Sequence, residues 1–330
     1  MKACVYFRYG GPEVVEIRDV PTPVPAAGEI LIRIVATTVS AGDWRVRSLN
    51  LPRGFGPMGR LAFGLRGPRQ PIMGTEFAGV VAAAGARVTR FVPGDAVFGF
   101  PGGKFGCHAQ YRVLSQDGPV VPKPGNLSFE EAASLSFGAM TALHFLRKAG
   151  VTVGDKVLVV GASGAVGSAL VQLARHLGAE VTGVTSSANT GLVMSLGAHR
   201  VVDYTTSDVT SGTDSYDVIA DTVGTTSFAR YRRVLRPKGR LLAIAAGLPD
   251  MMAALWAPLY GGRRVIVGPA GERLDDLRQI AAWAEQGVLR PVIDRRYDMA
   301  EIVAAHAYVD TGRKRGSVVV RMSHAGDKAG

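Results

Sequence analysis

The alternation of apolar and polar positions divides the chain into a strand-rich first part and a later part in which strands alternate with helices. In residues 1–123, turns rich in Gly and Pro separate short apolar segments that are typical of strands. These predicted strands are Met1–Tyr9, Glu29–Ala36, Phe77–Ala84, Ala96–Phe98 and Ala109–Leu114. The even spacing of such strands indicates a partly open β-barrel.

Residues 124–270 carry a different pattern, in which apolar strands are separated by segments of helical periodicity. The predicted strands are Lys156–Val160, Glu180–Val184, Arg200–Val202, Asp217–Ala220, Arg240–Ala245 and Arg263–Val267. This alternation predicts an α/β fold with a doubly wound parallel sheet. A capping box, with Ser128 followed by Glu131, begins a helix that is predicted to extend toward Lys148.

Three further segments complete the prediction. Near the C-terminal end, Leu274–Glu285 is an amphipathic helix, Val318–Arg321 a last strand and Ser323–Gly330 a polar, frayed tail. The segment Ser48–Gln70 is rich in Gly, Pro, Arg and bulky apolar residues. A long loop of this composition is either a lid or binding loop or a variable surface excursion, and the sequence leaves both open.

The first strand of the α/β region is followed by three glycines at a spacing of three residues, Gly161, Gly164 and Gly167. Apolar residues then recur at helical spacing until Gly178, so strand, glycine turn and helix follow in the order of a dinucleotide-binding unit. The spacing departs from GxGxxG, and a tight turn that binds nothing is the alternative. The predicted contacts to the cofactor pyrophosphate are Gly161, Ser163, Gly164, Ala165, Val166 and Gly167.

Composition narrows the choice of partners and compartment. The net charge is +11, but the arginines are scattered and accompany no nucleic-acid-binding motif, so nucleic acid is not the expected partner. No run of about twenty apolar residues is present, which argues against a membrane span. The N-terminus alternates like a strand rather than a signal peptide, and Cys4 and Cys107 are too few for a disulfide framework. A cytoplasmic protein is therefore expected.

Nine stretches of the chain together resemble the medium-chain dehydrogenase/reductase superfamily, and most closely its zinc-independent, quinone oxidoreductase-like branch. They are Tyr9–Glu13, Val39–Trp44, Gly74–Val81, Pro93–Phe98, Leu135–Ala142, Gly161–Gly167, Ser195–Ala198, Asp221–Gly224 and Gly316–Val320. The resemblance implies a GroES-like barrel domain over residues 1–123, completed by about 271–330. It also implies a Rossmann nucleotide-binding domain over residues 124–270.

The same resemblance leads to expectations about a catalytic zinc ion and about the class of substrate. Zinc-dependent members carry Cys where this chain has Ser40 and His where it has Thr75, and a neutral hydroxyl does not replace these ligands. No zinc is therefore expected. Without a Lewis acid, hydride transfer is easier to a conjugated acceptor, whose own carbonyl spreads the developing charge. Quinones and α,β-unsaturated carbonyls are such substrates, whereas no side chain stands out as the proton donor.

Several site residues follow from the resemblance by position. Ser40 and Asp43 lie on the loop that faces the nicotinamide ribose in the family, where relatives usually have Asn in place of Ser40. Asp43 could instead cap that loop. The remaining candidates near the nicotinamide are Thr141, Gly224, Ala246 and Gly247. An ordinary helix threonine and simple turn glycines are the alternative interpretations.

The residues at the end of the second predicted strand of the α/β region, Glu180–Val184, indicate whether NADPH or NADH is preferred. An NAD-preferring site usually ends this strand with an acidic residue, but here Val184-Thr-Ser-Ser187 follows, with no acid until Asp203. NADPH is therefore favoured, with NADH possible, although relatives often carry Arg at the position of Ala188. Neutral donors to a 2′-phosphate are Ser186, Ser187, Asn189 and Tyr204, with Arg200 a more distant candidate.

Three functions remain open at this point. The first is an NADPH-dependent reductase of quinones or enones, the second a biosynthetic enoyl or ketone reductase of the same fold, and the third a non-catalytic nucleotide- or RNA-binding relative. The run Arg263–Gly268 is expected to form the edge of the sheet. An exposed edge favours pairing with a second copy in a homodimer, unless Arg263 and Arg264 act as charged guards of a monomer.

Overall fold

The structure is a computed structural model that describes residues 1–324, so the end of the predicted tail, from residue 325 on, lies outside the described residues. The chain forms two compact units. The first comprises Met1–Asn50, Met58–Phe137 and the chain from Glu272 on, and the second comprises Leu51–Pro57 and Gly138–Gly271. The division at residues 137 and 138 differs from the boundary at 123 and 124 that the sequence suggested.

The strands are β1 Lys2–Val5, β2 Glu16–Asp19, β3 Glu29–Val39, β4 Phe77–Ala84, β5 Ala96–Gly99, β6 Tyr111–Ser115, β7 Val120–Pro122, β8 Lys156–Val160, β9 Glu180–Thr185, β10 Arg200–Asp203, β11 Tyr216–Asp221, β12 Leu235–Ala243, β13 Arg264–Ile266, β14 Ile293–Asp298 and β15 Ser317–Arg321. The α-helices are α1 Ala41–Ser48, α2 Gly56–Phe63, α3 Phe129–Ala133, α4 Ser136–Ala149, α5 Ala165–His176, α6 Thr190–Ser195, α7 Phe228–Tyr231, α8 Leu248–Trp256, α9 Leu274–Glu285 and α10 Ile302–Asp310. Short 3₁₀ segments occur at Pro12–Val14, Gly102–Lys104, Ser187–Asn189, Ala257–Leu259 and Met299–Glu301.

The first unit is built on the long strand β3. Its neighbours follow in the order β14-β15-β3-β4-β5-β7, β6 also pairs with β3, and β1 and β2 form a separate antiparallel pair. Ile30, Ile32 and Ile34 alternate on the buried face of β3 and are fully buried. The strand extends beyond its predicted end at Ala36 because residues 36–39 pair with β15, some 280 positions away in sequence.

The second unit contains a six-stranded sheet of parallel strands in the order β10-β9-β8-β11-β12-β13. This confirms the predicted doubly wound sheet. The strand β8 lies centrally, and Val157, Leu158 and Val159 are fully buried, as a strand covered on both faces requires. Chain order reverses between β8 and β11, which is where such sheets bind ligands at the carboxyl ends of their strands.

Three sequence-based predictions were wrong in detail. The segment Ser48–Gln70 is not a continuous loop, because it contains α2. The helix predicted from Ser128 toward Lys148 is two helices, α3 and α4, since the chain leaves the helix at Ser134 and begins a new one at Ser136. The polar strands β2 and β14 were missed because they are defined by pairing and not by a buried apolar face.

Within residues 1–324, no helix combines the length and apolar character that crossing a membrane requires.

Candidate cofactor-binding and catalytic residues

The three glycines between β8 and α5 meet three different physical requirements. Gly161 has φ of +78°, a left-handed conformation that suits glycine. A Cβ on Gly167 would lie 2.0 Å from the carbonyl oxygen of Gly161, so this glycine allows α5 to pack against the turn. A Cβ on Gly164 would lie 3.4 Å from that same oxygen and would otherwise meet open space.

The open space in front of Gly164 adjoins the N-terminus of α5. Gly164 is the N-cap of this twelve-residue helix, and no side chain caps it. The backbone N–H groups of Ala165, Val166 and Gly167 belong to the first turn, where a helix has no carbonyl acceptors of its own to offer. Free donors at the positive end of a helix fit an anion such as a pyrophosphate, provided the backbone can approach it closely. The residues present therefore fit a dinucleotide.

A network of neutral side chains lies beside the glycine turn, at the end of β9. The buried Ser163 hydroxyl accepts hydrogen bonds from Thr185 Oγ1 at 2.9 Å and from Asn189 Nδ2 at 3.3 Å. The same Asn189 amide lies 3.3 Å from the hydroxyl of Ser186. The structure thus brings three predicted cofactor-binding residues together, and it adds Thr185, which the sequence analysis had not singled out.

No acidic residue ends β9, in agreement with the sequence, but the neighbouring strand β10 places Asp203 opposite Thr185. The carboxylate of Asp203, at the end of β10, accepts from the N–H and hydroxyl of Thr205 at 2.8 and 2.7 Å. The Thr205 bonds lower the pKa of Asp203, and interactions with the hydroxyl and backbone N–H of Ser187 lower it further. Tyr204, the next residue, has an exposed side chain.

Arg200 is not at this site. It is the first residue of β10 and Asp203 is the last. Arg200 therefore lies at the amino end of the parallel strands and Asp203 at their carboxyl end. Its guanidinium donates to the hydroxyl of Tyr216 at 2.9 Å and to the carboxylate of Asp214. The suggestion that Arg200 could reach a 2′-phosphate was therefore wrong, because strand direction separates it from the cofactor-binding edge.

The ends of β11 and β12 form two further turns at the same edge of the sheet. Gly224 has φ of +79°, and a Cβ there would lie 2.9 Å from the carbonyl oxygen of Ala245, so the Gly224 turn packs directly against the residues before Ala246 and Gly247. Gly247 also begins α8 as its N-cap. These three candidates consequently lie together in space, beside the glycine turn of β8.

Asp221 holds the Gly224 turn in place, a role that the sequence analysis missed. One carboxylate oxygen accepts from the N–H groups of Val223 at 2.8 Å and Gly224 at 2.9 Å. The other accepts from the hydroxyl of the buried Tyr231 at 3.0 Å. Burial raises the pKa of Asp221, whereas these donors lower it. The available signal was an acidic residue directly after an apolar strand, within Asp221–Gly224.

Thr141 lies in the buried part of α4. This helix approaches the start of α5 closely, since a Cβ on Gly138 would lie 2.3 Å from the carbonyl oxygen of Ala165. Gly138 therefore lets α4 pack against the helix terminus that the glycine turn leads into. Thr141 follows one turn later in the same helix.

In the first unit, Ser40 and Asp43 form the N-cap of α1 and not a loop, which corrects the prediction for these two residues. The Ser40 hydroxyl accepts from the Asp43 N–H at 3.2 Å and donates to its carboxylate at 2.6 Å, and the Ser40 N–H donates to the same carboxylate at 2.8 Å. The other carboxylate oxygen accepts from the Gly74 N–H at 3.0 Å. Asp43 is fully buried, and its carboxylate serves the capping role that was one of its two interpretations.

The residues at the zinc-ligand positions do not fit a zinc ion. The Ser40 hydroxyl is engaged by Asp43, and Thr75 offers only a buried neutral hydroxyl. Neighbouring Glu76 accepts from the Thr38 hydroxyl and the Phe137 N–H. Burial raises the pKa of Glu76 to about 7. Across residues 1–324, no cluster of three or more His, Cys, Asp or Glu side chains is arranged to hold a metal.

Comparison with known proteins places this arrangement in a family. Residues 26–125 match the family described as "Alcohol dehydrogenase GroES-like domain", and residues 196–320 match the one described as "Zinc-binding dehydrogenase". The 2-methylene-furan-3-one reductase of Solanum lycopersicum is 32% identical over 97% of this chain and 79% of its own length. The quinone oxidoreductase of Sus scrofa is 31% identical over 96% of this chain and 95% of its own.

A solved structure shares the fold throughout. The quinone oxidoreductase from Coxiella burnetii superimposes with a TM-score of 0.86 at 27% identity, covering 98% of this chain and 99% of that one. The GroES-like domain and the Rossmann-type parallel sheet that the sequence predicted are thereby confirmed. The chain belongs to the medium-chain dehydrogenase/reductase superfamily, in its quinone oxidoreductase-like group.

Proposed function

We propose that this protein is an NADPH-dependent, zinc-independent reductase that transfers a hydride to a quinone or an α,β-unsaturated carbonyl. The observation that carries the proposal is the open, uncapped N-terminus of α5 behind Gly164, bordered by neutral donors at the end of β9. Curated relatives along the whole chain have names that specify reductases of enones and quinones. When bound, the nicotinamide supplies the hydride.

The chain's own residues bind and orient in this proposal. The N–H groups of Ala165–Gly167 receive the pyrophosphate, and the side chains of Ser163, Ser186, Ser187, Asn189 and Tyr204 surround the adenosine ribose. The backbone of Gly224, Ala246 and Gly247 approaches the nicotinamide. Similarity to an NADPH-dependent alkenal/one oxidoreductase of Arabidopsis thaliana, at 29% identity, supports NADPH as the cofactor.

The substrate class follows from the chemistry of the first unit. Ser40 and Thr75 are neutral hydroxyls, so these residues offer no Lewis acid to polarise an isolated carbonyl. A conjugated acceptor needs less assistance, because charge that develops on hydride addition is delocalised onto its own oxygen. Ser40, Asp43 and Thr141 are the proposed catalytic residues. Asp43 acts by fixing the orientation of Ser40, since both its oxygens are already bonded within the unit.

The proposal is tested with purified protein, a panel of quinones and enones, and simple ketones as the control substrates. Oxidation of NADPH at 340 nm with quinones or enones, but not with ketones, is expected, together with less than stoichiometric zinc by elemental analysis. The variant Ala188→Arg should widen the preference for NADPH over NADH by up to about tenfold per 1.4 kcal/mol of added interaction. Tightly bound zinc that chelators remove together with activity would contradict the proposal.

We further propose a cytoplasmic homodimer. Both cysteines are free and buried, which suits a reducing compartment. The strand β13 ends the parallel sheet, and α8 beside it exposes several large apolar side chains. They are Leu248, Met251, Met252, Leu255 and Trp256. An apolar face next to an open strand edge is the surface that a second copy would cover.

A further inference from the structure

The ends of β9 and β10 lie side by side at the cofactor-binding edge of the sheet. Asp203 is opposite Thr185 in the register of these parallel strands, and the Tyr204 N–H donates to the Thr185 carbonyl oxygen at 3.1 Å. The residues that follow Thr185 are Ser186 and Ser187. Asp203 is therefore adjacent to the segment that would surround the adenosine ribose, although it is sixteen positions from Ser187 in sequence.

The position and charge state of the Asp203 carboxylate are fixed by its neighbours. Thr205 donates to one oxygen through both its N–H and its hydroxyl, and these bonds hold the pKa of Asp203 below its usual value. The carboxylate is consequently negative at neutral pH. Interactions with the hydroxyl and N–H of Ser187, one of the neutral donors expected at the 2′-position, lower the pKa of Asp203 further. A negative charge therefore lies beside the segment whose donors a 2′-phosphate would use.

We propose that Asp203 is a specificity-determining residue that limits the preference of this protein for NADPH over NADH. This inference rests on the proposed function, because it assumes that a nicotinamide dinucleotide binds along the glycine turn. A 2′-phosphate carries nearly two negative charges, and Asp203 repels it, whereas the 2′-hydroxyl of NADH is neutral and is not repelled. Asp203 thereby weakens the binding of one cofactor selectively.

The test is the isosteric variant Asp203→Asn, whose side-chain oxygen can still accept from Thr205. Asp208→Asn is the matched control, because Asp208 makes the same pair of bonds, to the N–H and hydroxyl of Thr210 at 2.9 and 2.7 Å. Its remaining carboxylate partner is Arg230, not the Ser186–Asn189 segment. Dissociation constants for NADPH and NADH are measured by fluorescence titration at low and high ionic strength.

We expect Asp203→Asn to tighten NADPH binding roughly three- to tenfold at low salt, as removal of one nearby charge predicts, and to leave NADH binding unchanged. The gain should shrink at high salt because mobile ions screen exposed charges. Asp208→Asn should change neither cofactor. Equal effects of Asp203→Asn on both cofactors would mean that Asp203 only positions the loop, and no effect would mean that it is too distant. Either result overturns the inference.

Failure of the inference is distinguishable from failure of the proposed function. If the unmodified protein binds neither dinucleotide in the titrations, the proposed function itself is wrong. If it binds them and reduces an enone, but Asp203→Asn leaves the NADPH-to-NADH ratio unchanged, only the assignment of Asp203 is wrong.

Discussion

At the scale of single residues, Gly164 differs from the two glycines on either side of it. Its φ of −77° is accessible to any L-amino acid, and its missing Cβ faces open space. Gly161 and Gly167 are required by backbone conformation and by packing, respectively. Folding therefore needs Gly161 and Gly167, whereas neither φ nor packing requires glycine at position 164, and close approach of a pyrophosphate to the backbone would require it.

Gly164→Val is expected to abolish cofactor binding while leaving the protein folded, because the branched side chain would occupy the space through which a pyrophosphate approaches the backbone. Thermal unfolding and NADPH titration check the two parts separately. Gly167→Val is the comparison variant, since its side chain would collide with the Gly161 carbonyl and should lower the melting temperature. Unchanged cofactor affinity in folded Gly164→Val would count directly against the glycine turn as the pyrophosphate site.

His306 is a second residue whose surroundings have a measurable consequence. It is fully buried in α10, and its ring lies 5.7 Å from that of the buried His108. In the part of the chain that the structure describes, neither of its ring nitrogens has a hydrogen-bonding partner. Burial holds the pKa of His306 well below its usual value, and electrostatic interaction with His108 and Arg47 lowers it further.

This shift should make the protein lose stability in mild acid. Unfolded His306 binds a proton as the pH falls below about 6.5, whereas the folded protein keeps it neutral, so the free energy of unfolding falls with pH. His306→Phe removes this group, and its loss of stability between pH ~7.5 and ~5 should be smaller than that of the unmodified protein by up to about 2 kcal/mol. Urea unfolding at the two pH values measures this difference, with the exposed His176→Phe as control. Parallel curves for His306→Phe and the unmodified protein would contradict it.

At the scale of elements, the turn after β11 packs between the turn after β8 and the turn after β12 in the predicted site. A Cβ on Gly161 would lie 2.4 Å from Thr222 Oγ1, while Gly224 on the other side packs against Ala245. Asp221 fixes this turn through two backbone N–H groups and is itself fixed by Tyr231 on α7. The geometry of the three strand ends therefore depends on one buried carboxylate.

Asp221→Ala should leave the buried Tyr231 hydroxyl without this acceptor, at a cost of about 1–3 kcal/mol, and should also remove the acceptor of two partly buried backbone N–H groups. We expect a lower melting temperature and weaker NADPH binding. Asp221→Asn can still accept from Val223 and Gly224 and should restore most of the affinity. Asp217→Asn is the control: Asp217 lies at the opposite end of β11, where it accepts from the Lys156 N–H at 2.9 Å. If Asp217→Asn and Asp221→Ala weaken NADPH binding equally, the effect is general destabilisation.

At the scale of the whole molecule, the edge strand β13 is the feature that a second copy would change. Among residues 1–324, no strand pairs with β13 on the side away from β12, and Arg264 and Val265 lie on this edge. Ala254 and Pro258 line the same surface depression as Val265, which places the apolar region of α8 next to the strand. Pairing about a two-fold axis would continue the sheet and cover this region.

Light scattering at micromolar concentration should therefore give twice the mass of the 34.7 kDa chain. Leu255→Glu, which places a charge in the exposed apolar region, should shift the protein toward the monomer. Val153→Glu is the matched control, because Val153 is also exposed but belongs to a loop outside this region. A monomer mass for the unmodified protein would mean that Arg263 and Arg264 guard the edge.

The sequence alone determined the features that depend on residues close together in the chain. The spacing of Gly161, Gly164 and Gly167 after an apolar strand specifies a turn into a helix, because the φ of Gly161 and the contact of Gly167 with the Gly161 carbonyl both arise within seven residues of chain. Alternating apolar positions likewise predicted the central strands, and β4, β8 and α9 have the predicted bounds. The family resemblance added the GroES-like domain, which strand spacing could not specify.

Tertiary structure decided what depends on residues far apart in the chain. Asp203 lies opposite Thr185, two residues before Ser187, only because β10 pairs with β9, and Tyr231 meets Asp221 only because α7 packs on the sheet. Arg200 lies at the amino end of β10, away from the cofactor-binding ends of the strands, although it is only three residues from Asp203 in sequence. A sequence pattern fixes the local conformation and which face is buried, but the charge beside a site is set by strand order and register, which arise when the whole sheet assembles.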